Sequence, residues 1–125
     1  WEDSRFDFML EDAQGRVFVE VKGVTLEEDG EVRFPDAPTE RGVKHLRGLQ
    51  RAAAQGHRAA AFFVVQMKGP VRFRPNDATH PAFGAALREA AGNGVDVYAY
   101  DCLVTPDSLT LDAPVPVDLS PWGAR

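Results

Sequence analysis

Two arms of alternating side chains, separated by a short polar turn, run through positions 4–22 of the sequence. The first arm reads S-R-F-D-F-M-L and the second reads V-F-V-E-V-K, so that one face of each arm is apolar. Alternation of period two on both sides of a turn predicts a β-hairpin. If the turn is centred near Ala13 and Gln14, paired positions sum to 27, and Asp7 lies opposite Glu20 on the same face. A register slip of one residue would separate these two side chains.

Asp7 and Glu20 form an unfavourable pair if they serve only as structure, because like charges directly opposite each other in a sheet cost roughly 0.2–1 kcal/mol. A divalent cation between them would reverse the sign of that interaction, and carboxylate, water and phosphate oxygens suit Mg²⁺. Lys22 shares the face of Glu20 and could orient a nucleophilic water or hold a phosphate oxygen. An Asp followed by Glu-x-Lys on the next strand is the arrangement of PD-(D/E)xK nucleases. The alternative is a solvated polar face.

The rest of the pattern predicts short strands and two helices. Thr39 can cap a helix over 40–55, which Gly56 would end, and Pro81 can begin a second helix that ends near Asn93 and Gly94. The unbroken apolar run at 59–65 predicts a strand that is buried on both faces. The other predicted segments are extended pieces at 24–26 and 32–34, a basic loop at 68–75, a strand at 95–104, an edge strand at 108–111 and an irregular tail from Ala113.

This order of elements predicts a single α/β domain with one mixed central sheet flanked by helices. The length of 125 residues and the 44% hydrophobic and 26% charged content suit one globular domain. No apolar run approaches the roughly 18–20 residues that a membrane span needs, so we expect no membrane partner. The single cysteine, Cys102, excludes an internal disulfide framework and is compatible with a reducing cytoplasm, where we expect the protein to reside.

Positive charge is concentrated in residues 39–74, although the net charge of the chain is −5. This segment holds eight lysines and arginines and one acidic residue, Glu40. A local excess of this kind predicts contacts with nucleic-acid phosphates, which position a protein without specifying sequence, while a solvated basic helix is the alternative. The side chains predicted to make such contacts are Arg5, Arg41, Lys44, Arg47, Arg72 and Arg74. Arg5 has the further alternative of neutralising Asp7.

Several segments together resemble the sugar fermentation stimulation protein A (SfsA) family. They are S-R-F-D-F at 4–8, E-V-K-G-V-T-L at 20–26, F-P-D-A-P-T-E-R-G-V-K-H-L at 34–46 and G-H-R-A-A-A-F-F-V-V-Q at 56–66. The resemblance implies a PD-(D/E)xK restriction-endonuclease-like core that follows an OB-like domain. It also implies that the chain is N-terminally incomplete, because the OB-like domain, the first core strand and the first core helix of that family precede its first residue. Gly23 departs from the serine that is usual in the family.

The resemblance also implies roles for individual residues. Asp7 and Glu20 would be ligands of a Mg²⁺ or Mn²⁺ ion, and Lys22 would be the catalytic lysine. The side chains that would support this site are Glu40, Lys44, His45 and Gln66. The residues alone leave structural alternatives open, namely an i,i+4 pair between Glu40 and Lys44, a hydrogen-bonded packing role for His45, and a strand end at Gln66.

Three functions are consistent with these expectations. The first is a DNA-binding protein, linked to regulation of sugar (maltose) utilisation, that acts as a Mg²⁺-dependent phosphodiesterase. The second is a nucleic-acid-binding regulator whose nuclease-like site is idle. The third is a structural or protein-interaction domain whose polar face meets solvent.

Overall fold

A computed structural model describes residues 8–121, with the side chain of Phe8 excepted. Within this range the chain forms eight strands and two helices. In chain order they are β1 (Phe8–Asp12), β2 (Gly15–Val24), β3 (Leu26–Glu28), β4 (Glu31–Phe34), α1 (Glu40–Ala54), β5 (Arg58–Val65), β6 (Arg72–Pro75), α2 (Pro81–Gly92), β7 (Asp96–Val104) and β8 (Leu109–Pro114). No described helix is long and apolar enough to cross a membrane.

The hairpin of β1 and β2 has the predicted register. Phe8 pairs with Val19 and Asp12 pairs with Gly15, so that paired positions sum to 27. The turn forms because the Asp12 carboxylate accepts a hydrogen bond from the Gln14 backbone N–H at 2.8 Å, and because Gly15 adopts a φ of 111°. Asp7 lies outside the described residues, and its pairing with Glu20 therefore stays a prediction.

The strands form two sheets rather than the single predicted one. The larger sheet has the order β1-β2-β5-β7-β8, with parallel pairing among β2, β5 and β7 and an antiparallel hairpin at each edge. The smaller sheet has the order β3-β4-β6, and its β4 and β6 pair in parallel. The α/β class and the mixed sheet are confirmed.

Two predicted irregular segments are ordered in the structure. The expected basic loop at 68–75 is wrong in its second half, because β6 occupies Arg72–Pro75 and pairs with β4. The expected irregular tail is wrong at its start, because β8 continues to Pro114 and Val115 beyond it is buried. Both errors have the same origin: a strand of four residues and a strand that contains proline owe their structure to distant partners, which local alternation does not reveal.

Helix α1 follows its predicted limits. The Thr39 hydroxyl accepts the Gly42 backbone N–H at 2.9 Å, which caps the first turn, and Gly56 follows the helix with a φ of 90°. The buried side of α1 carries Leu46 and Leu49, which join the central core. The opposite side of α1 is polar and carries the basic residues, which are therefore exposed at the surface.

Both helices pack on one face of the larger sheet. The core there is rich in aromatic side chains, and the Phe63 and Phe73 rings stack with centroids 4.4 Å apart. The opposite face carries Phe62, Tyr98 and Tyr100 around a shallow cavity of about 580 Å³, and no described element covers it. The prediction that the strand at 59–65 is buried on both faces is therefore wrong for the described chain, in which Phe62 is only half-buried.

Asp101 joins three segments at the end of the larger sheet. Its side chain is buried and accepts hydrogen bonds from the Ala113 backbone N–H at 2.8 Å, the Gly69 backbone N–H at 3.1 Å and Lys68 Nζ at 3.3 Å. Burial alone raises the pKa of Asp101, but these hydrogen bonds outweigh it and leave the pKa below its ordinary value of 3.8. The carboxylate therefore stabilises the fold in its ionised form.

Replacing Asp101 with alanine is expected to lower the free energy of unfolding by about 1–3 kcal/mol, because the Gly69 and Ala113 backbone N–H groups lose their hydrogen bonds to a charged, buried acceptor. The contribution of Asp101 should be fully present above pH 3.8 and lost as the pH falls through its lowered pKa. Urea unfolding at neutral pH and at low pH measures both effects. The matched control is Asp112→Ala, which removes the half-exposed partner of Lys68, and we expect it to change stability by less than about 1 kcal/mol.

Candidate metal and nucleic-acid site

Glu20 is a buried carboxylate in the middle of β2. It follows Phe18 on the face of the strand that packs under α1, where the alternation of the strand would ordinarily place an apolar residue. Only 3% of Glu20 is exposed. A charge is rarely buried to this extent unless it is paired or binds an ion, so this position calls for a specific explanation.

Two donors meet on one oxygen of Glu20. His45 Nδ1, from α1, lies 2.7 Å from Glu20 Oε1, and Lys22 Nζ, two residues further along β2, lies 3.1 Å from the same atom. Lys22 Nζ and His45 Nδ1 are also 3.1 Å apart. The three side chains therefore form a compact cluster at the junction of β2 and α1.

The second oxygen of Glu20 is buried and has no hydrogen-bond partner among the described residues. Leaving a buried acceptor unsatisfied costs about 1–3 kcal/mol, and more when the group is charged. A hard cation bound to Oε2 would remove this penalty, because carboxylate oxygens are the ligands that Mg²⁺, Mn²⁺ and Ca²⁺ prefer. The chemistry of Glu20 therefore fits the predicted cation.

The other residues of the predicted site are described only in part. Asp7 and Arg5 fall outside the described residues, and residues 8–121 hold no group of three or more candidate metal ligands from His, Cys, Asp and Glu. Glu40 is exposed in the first turn of α1 and forms no ion pair with Lys44 within that range, so the i,i+4 alternative is not realised. Of the two predicted metal ligands, Glu20 is the one that lies within the described residues.

Gln66 lies at the end of β5, beside β2. A Cβ atom added to Gly23 would lie 2.6 Å from Gln66 Nε2, so the amide group of Gln66 extends over the glycine next to Lys22. The backbone N–H of Gln66 also bonds to the Val24 carbonyl at 2.9 Å. This placement accounts for a small residue at position 23, and it brings the Gln66 amide close to the strand that carries the site.

The outer side of α1 bears the exposed positive charge. Arg41, Lys44 and Arg47 are exposed and make no ion pair with any residue in the described part of the chain. They are on the same helix as His45, and His45 contacts Glu20. The helix that contacts Glu20 through His45 thus also carries exposed positive charge.

Arg72 and Arg74 are not surface groups of this kind. Arg72 Nε donates to Glu31 Oε1 at 2.7 Å, and Arg74, which is 5% exposed, lies 3.7 Å from the same oxygen. Asp118 lies 4.0 Å from Arg74 on its other side. The prediction that Arg72 and Arg74 contact nucleic acid stays a prediction; in the structure both guanidinium groups lie beside Glu31, and the Arg72 side chain is 38% exposed.

The contact between His45 and Glu20 was not predicted. The resemblance gave His45 a site-supporting role, and the residues alone left a hydrogen-bonded packing role open. A local signal does exist, since His45 lies next to Leu46 and four residues before Leu49, on the border of the buried stripe of α1. That signal shows that His45 faces the sheet, but it cannot show which strand residue it meets.

Comparisons with known proteins identify relatives of this chain. The chain is 59% identical over 107 residues to a sugar fermentation stimulation protein homologue of Desulfitobacterium hafniense (strain Y51), a match that covers 86% of this chain and 47% of the homologue. It is 53% identical over 120 residues to that of Clostridium acetobutylicum, covering 95% and 52% respectively. The chain thus spans about half the length of the curated relatives it matches.

A solved structure and a family model give the same result. The structure of Pyrococcus furiosus SfsA in complex with Ca²⁺ superposes with a TM-score of 0.86 at 28% identity, over 93% of this chain and 51% of that one. The sequence model described as the sugar fermentation stimulation protein RE domain matches residues 1–108. The chain therefore belongs to the SfsA family.

Proposed function

We propose that this chain carries the divalent-cation site of a DNA-binding phosphodiesterase. The observation that carries the proposal is the buried Oε2 of Glu20, which has no hydrogen-bond partner among the described residues and lies beside Lys22, under a helix that presents exposed positive charge. A link to regulation of sugar utilisation, maltose included, is part of the proposal and rests on family membership alone.

A cation at this point is supported by two independent facts. Glu20 offers an oxygen that no described group satisfies, and the Pyrococcus furiosus relative was solved in complex with Ca²⁺, a cation with the same preference for oxygen ligands. Asp7 and Glu20 would hold Mg²⁺ or Mn²⁺. When bound, such an ion polarises the phosphoryl oxygen and lowers the pKa of a bound water.

The protein's own residues would position the substrate. Lys22 Nζ, already held 3.1 Å from Glu20 Oε1, is an ammonium donor that can bind a phosphate oxygen or orient a water. The exposed charges of α1 attract the DNA backbone and fix its position, without reading its sequence. The expected substrate is therefore DNA with little sequence preference.

The experiment is a cleavage assay on the complete polypeptide with supercoiled and single-stranded DNA, in Mg²⁺, in Mn²⁺ and in excess chelator. We expect cleavage that requires the cation and that is lost in Asp7→Asn and Lys22→Ala. A polypeptide that binds DNA but cleaves neither form with either cation would contradict a catalytic role.

Replacing Lys44 and Arg47 together with alanine is expected to weaken DNA binding about tenfold at low salt, because each exposed charge loses a phosphate contact. The slope of log affinity against log salt concentration should fall by about one to two. Fluorescence anisotropy with a labelled duplex over a salt series measures both quantities. The matched control is Arg16→Ala, which removes an exposed arginine of the hairpin that is paired with Glu11. Equal loss in the control and the double variant would contradict a specific role for α1.

A second candidate function is a nucleic-acid-binding regulator with an idle site. It rests on the exposed positive charge of α1, which can bind DNA phosphates without a cation at Glu20. It predicts the same salt-dependent binding through α1 without any effect of Asp7→Asn or of chelator on the DNA. The cleavage assay therefore separates the two candidates.

A further inference from the structure

The cluster at the junction of β2 and α1 assigns a task to His45 that neither its type nor its position in the sequence indicates. We propose that His45 is a positioning residue, which holds Oε1 of Glu20 so that Oε2 remains free for the cation while Lys22 is released to the substrate. The inference rests on the proposed function and deepens it.

The proton on His45 can be placed from its neighbours. A carboxylate only accepts hydrogen bonds and an ammonium only donates them. At 2.7 Å from Glu20 Oε1, His45 Nδ1 must carry the proton and donate it. Lys22 Nζ cannot then donate to Nδ1, so its hydrogen bond also goes to Glu20 Oε1, 3.1 Å away.

Both donors consequently fall on Oε1, and none of the described donors reaches Oε2. These two hydrogen bonds fix the rotation of the Glu20 carboxylate, so that Oε1 is hydrogen-bonded and Oε2 has no donor from the described residues. Carboxylates that bind metal ions are typically held by such hydrogen bonds on the oxygen that does not bind, and loss of the partner costs 10–100-fold in affinity or activity. The geometry of Glu20 matches this pattern before any ion is bound.

His45 and Lys22 are not equivalent donors. Lys22 has a long, flexible side chain and is also the group that the proposed reaction needs at a phosphate oxygen or a water, so it can shift away from Glu20 Oε1 during that reaction. His45 has a short, rigid side chain on a helix whose neighbouring Leu46 is buried in the core. When Lys22 moves, His45 is the donor that still holds Oε1.

Two variants distinguish the effect of the His45 N–H donor from the effect of the space that its ring fills. His45→Phe keeps a planar ring but has no donor, whereas His45→Asn places an amide N–H near the position of Nδ1 but has no ring. In the complete polypeptide we expect His45→Phe to weaken Mg²⁺ and Mn²⁺ binding by 10–100-fold in calorimetry, and His45→Asn to remain within about threefold of the wild type. Under saturating cation, kcat for DNA cleavage should fall in His45→Phe, with little change in KM.

A measurement on the wild-type protein tests the same proposal without any substitution. Long-range ¹H–¹⁵N correlation spectra should show His45 with a proton on Nδ1 in the cation-free protein. An unprotonated His45 Nδ1 would overturn the proposal even if the His45→Phe variant failed to fold.

The remaining outcomes are also decisive. Wild-type cation affinity in His45→Phe, or equal losses in His45→Phe and His45→Asn, would mean that His45 does not act through its Nδ1 proton, and the proposed function would survive without it. A wild-type polypeptide that binds neither cation would overturn the proposed cation site and this inference together.

Discussion

Replacing Glu20 with glutamine in the complete polypeptide is expected to lower Mg²⁺-dependent DNA cleavage by about a hundredfold or more. The physical reason is that a bound cation contributes several kcal/mol of transition-state stabilisation, and about 1.4 kcal/mol corresponds to a factor of ten in rate. Calorimetry should show a parallel loss of Mg²⁺ affinity. Glutamine has nearly the shape of glutamate, so the change removes the charge and one acceptor oxygen while leaving the volume of the buried side chain.

The stability of Glu20→Gln should behave differently from its activity. The amide carbonyl can still accept the hydrogen bond that His45 Nδ1 gives to Glu20 Oε1 at 2.7 Å. The substitution also removes a buried carboxylate oxygen that has no partner within the described chain. We therefore expect the cation-free melting temperature to stay within a few degrees of the wild-type value.

A matched control for Glu20→Gln is Glu11→Gln, which changes an exposed carboxylate of the neighbouring strand that pairs only with Arg16 in the described range. Glu11→Gln should leave cleavage, cation affinity and melting temperature unchanged. Cleavage that persists in Glu20→Gln at the wild-type rate would show that the buried carboxylate has no catalytic task, and the proposed function would fail at its central residue.

The elements that were predicted correctly are those whose signals are local. The hairpin register follows from alternation on both sides of a turn, and the turn is formed by Asp12 and Gly15 themselves. The limits of α1 follow from the Thr39 cap and Gly56. Because Glu20 and Lys22 lie two residues apart on one strand, their common face also follows from the sequence alone.

The elements that were missed depend on partners far away in the chain. Strand β6 has four residues and owes its structure to β4, whose Glu31 pairs with Arg72 across 41 positions. The contact between His45 and Glu20 similarly depends on how α1 settles on β2. Periodicity shows which side of an element faces inward, but it does not show which inward-facing residues meet.

The sheet face opposite the helices was mispredicted for a related reason. An apolar run such as A-A-A-F-F-V-V is typical of a parallel strand covered on both sides, and parallel sheets are generally covered in this way. In the described chain that face remains open around Phe62, while the chain spans about half the length of its curated relatives.

Glu31 joins three arginines at the smaller sheet. Its Oε2 accepts from Arg33 Nε at 2.6 Å, its Oε1 accepts from Arg72 Nε at 2.7 Å, and Arg74 lies 3.7 Å from Oε1. Only 6% of Glu31 and 5% of Arg74 are exposed. Burial raises the pKa of Glu31, but the hydrogen bonds from Arg72 and Arg33 outweigh it, and the pKa lies below its ordinary value of 4.5.

Replacing Glu31 with alanine is expected to lower the free energy of unfolding by about 3–5 kcal/mol, because it leaves the Arg74 charge buried without its nearest carboxylate. The contribution of Glu31 is fully present above pH 4.5 and is lost as the pH falls through the lowered pKa, so the variant should lose less stability on acidification than the wild type. Urea unfolding between pH 7 and pH 3 measures both effects. The matched control is Glu28→Ala, which removes a mostly exposed partner of Arg33. This substitution should lower the free energy of unfolding by less than about 1 kcal/mol. If Glu31→Ala and Glu28→Ala proved equally mild, the buried charge of Arg74 would have to be compensated by groups other than Glu31.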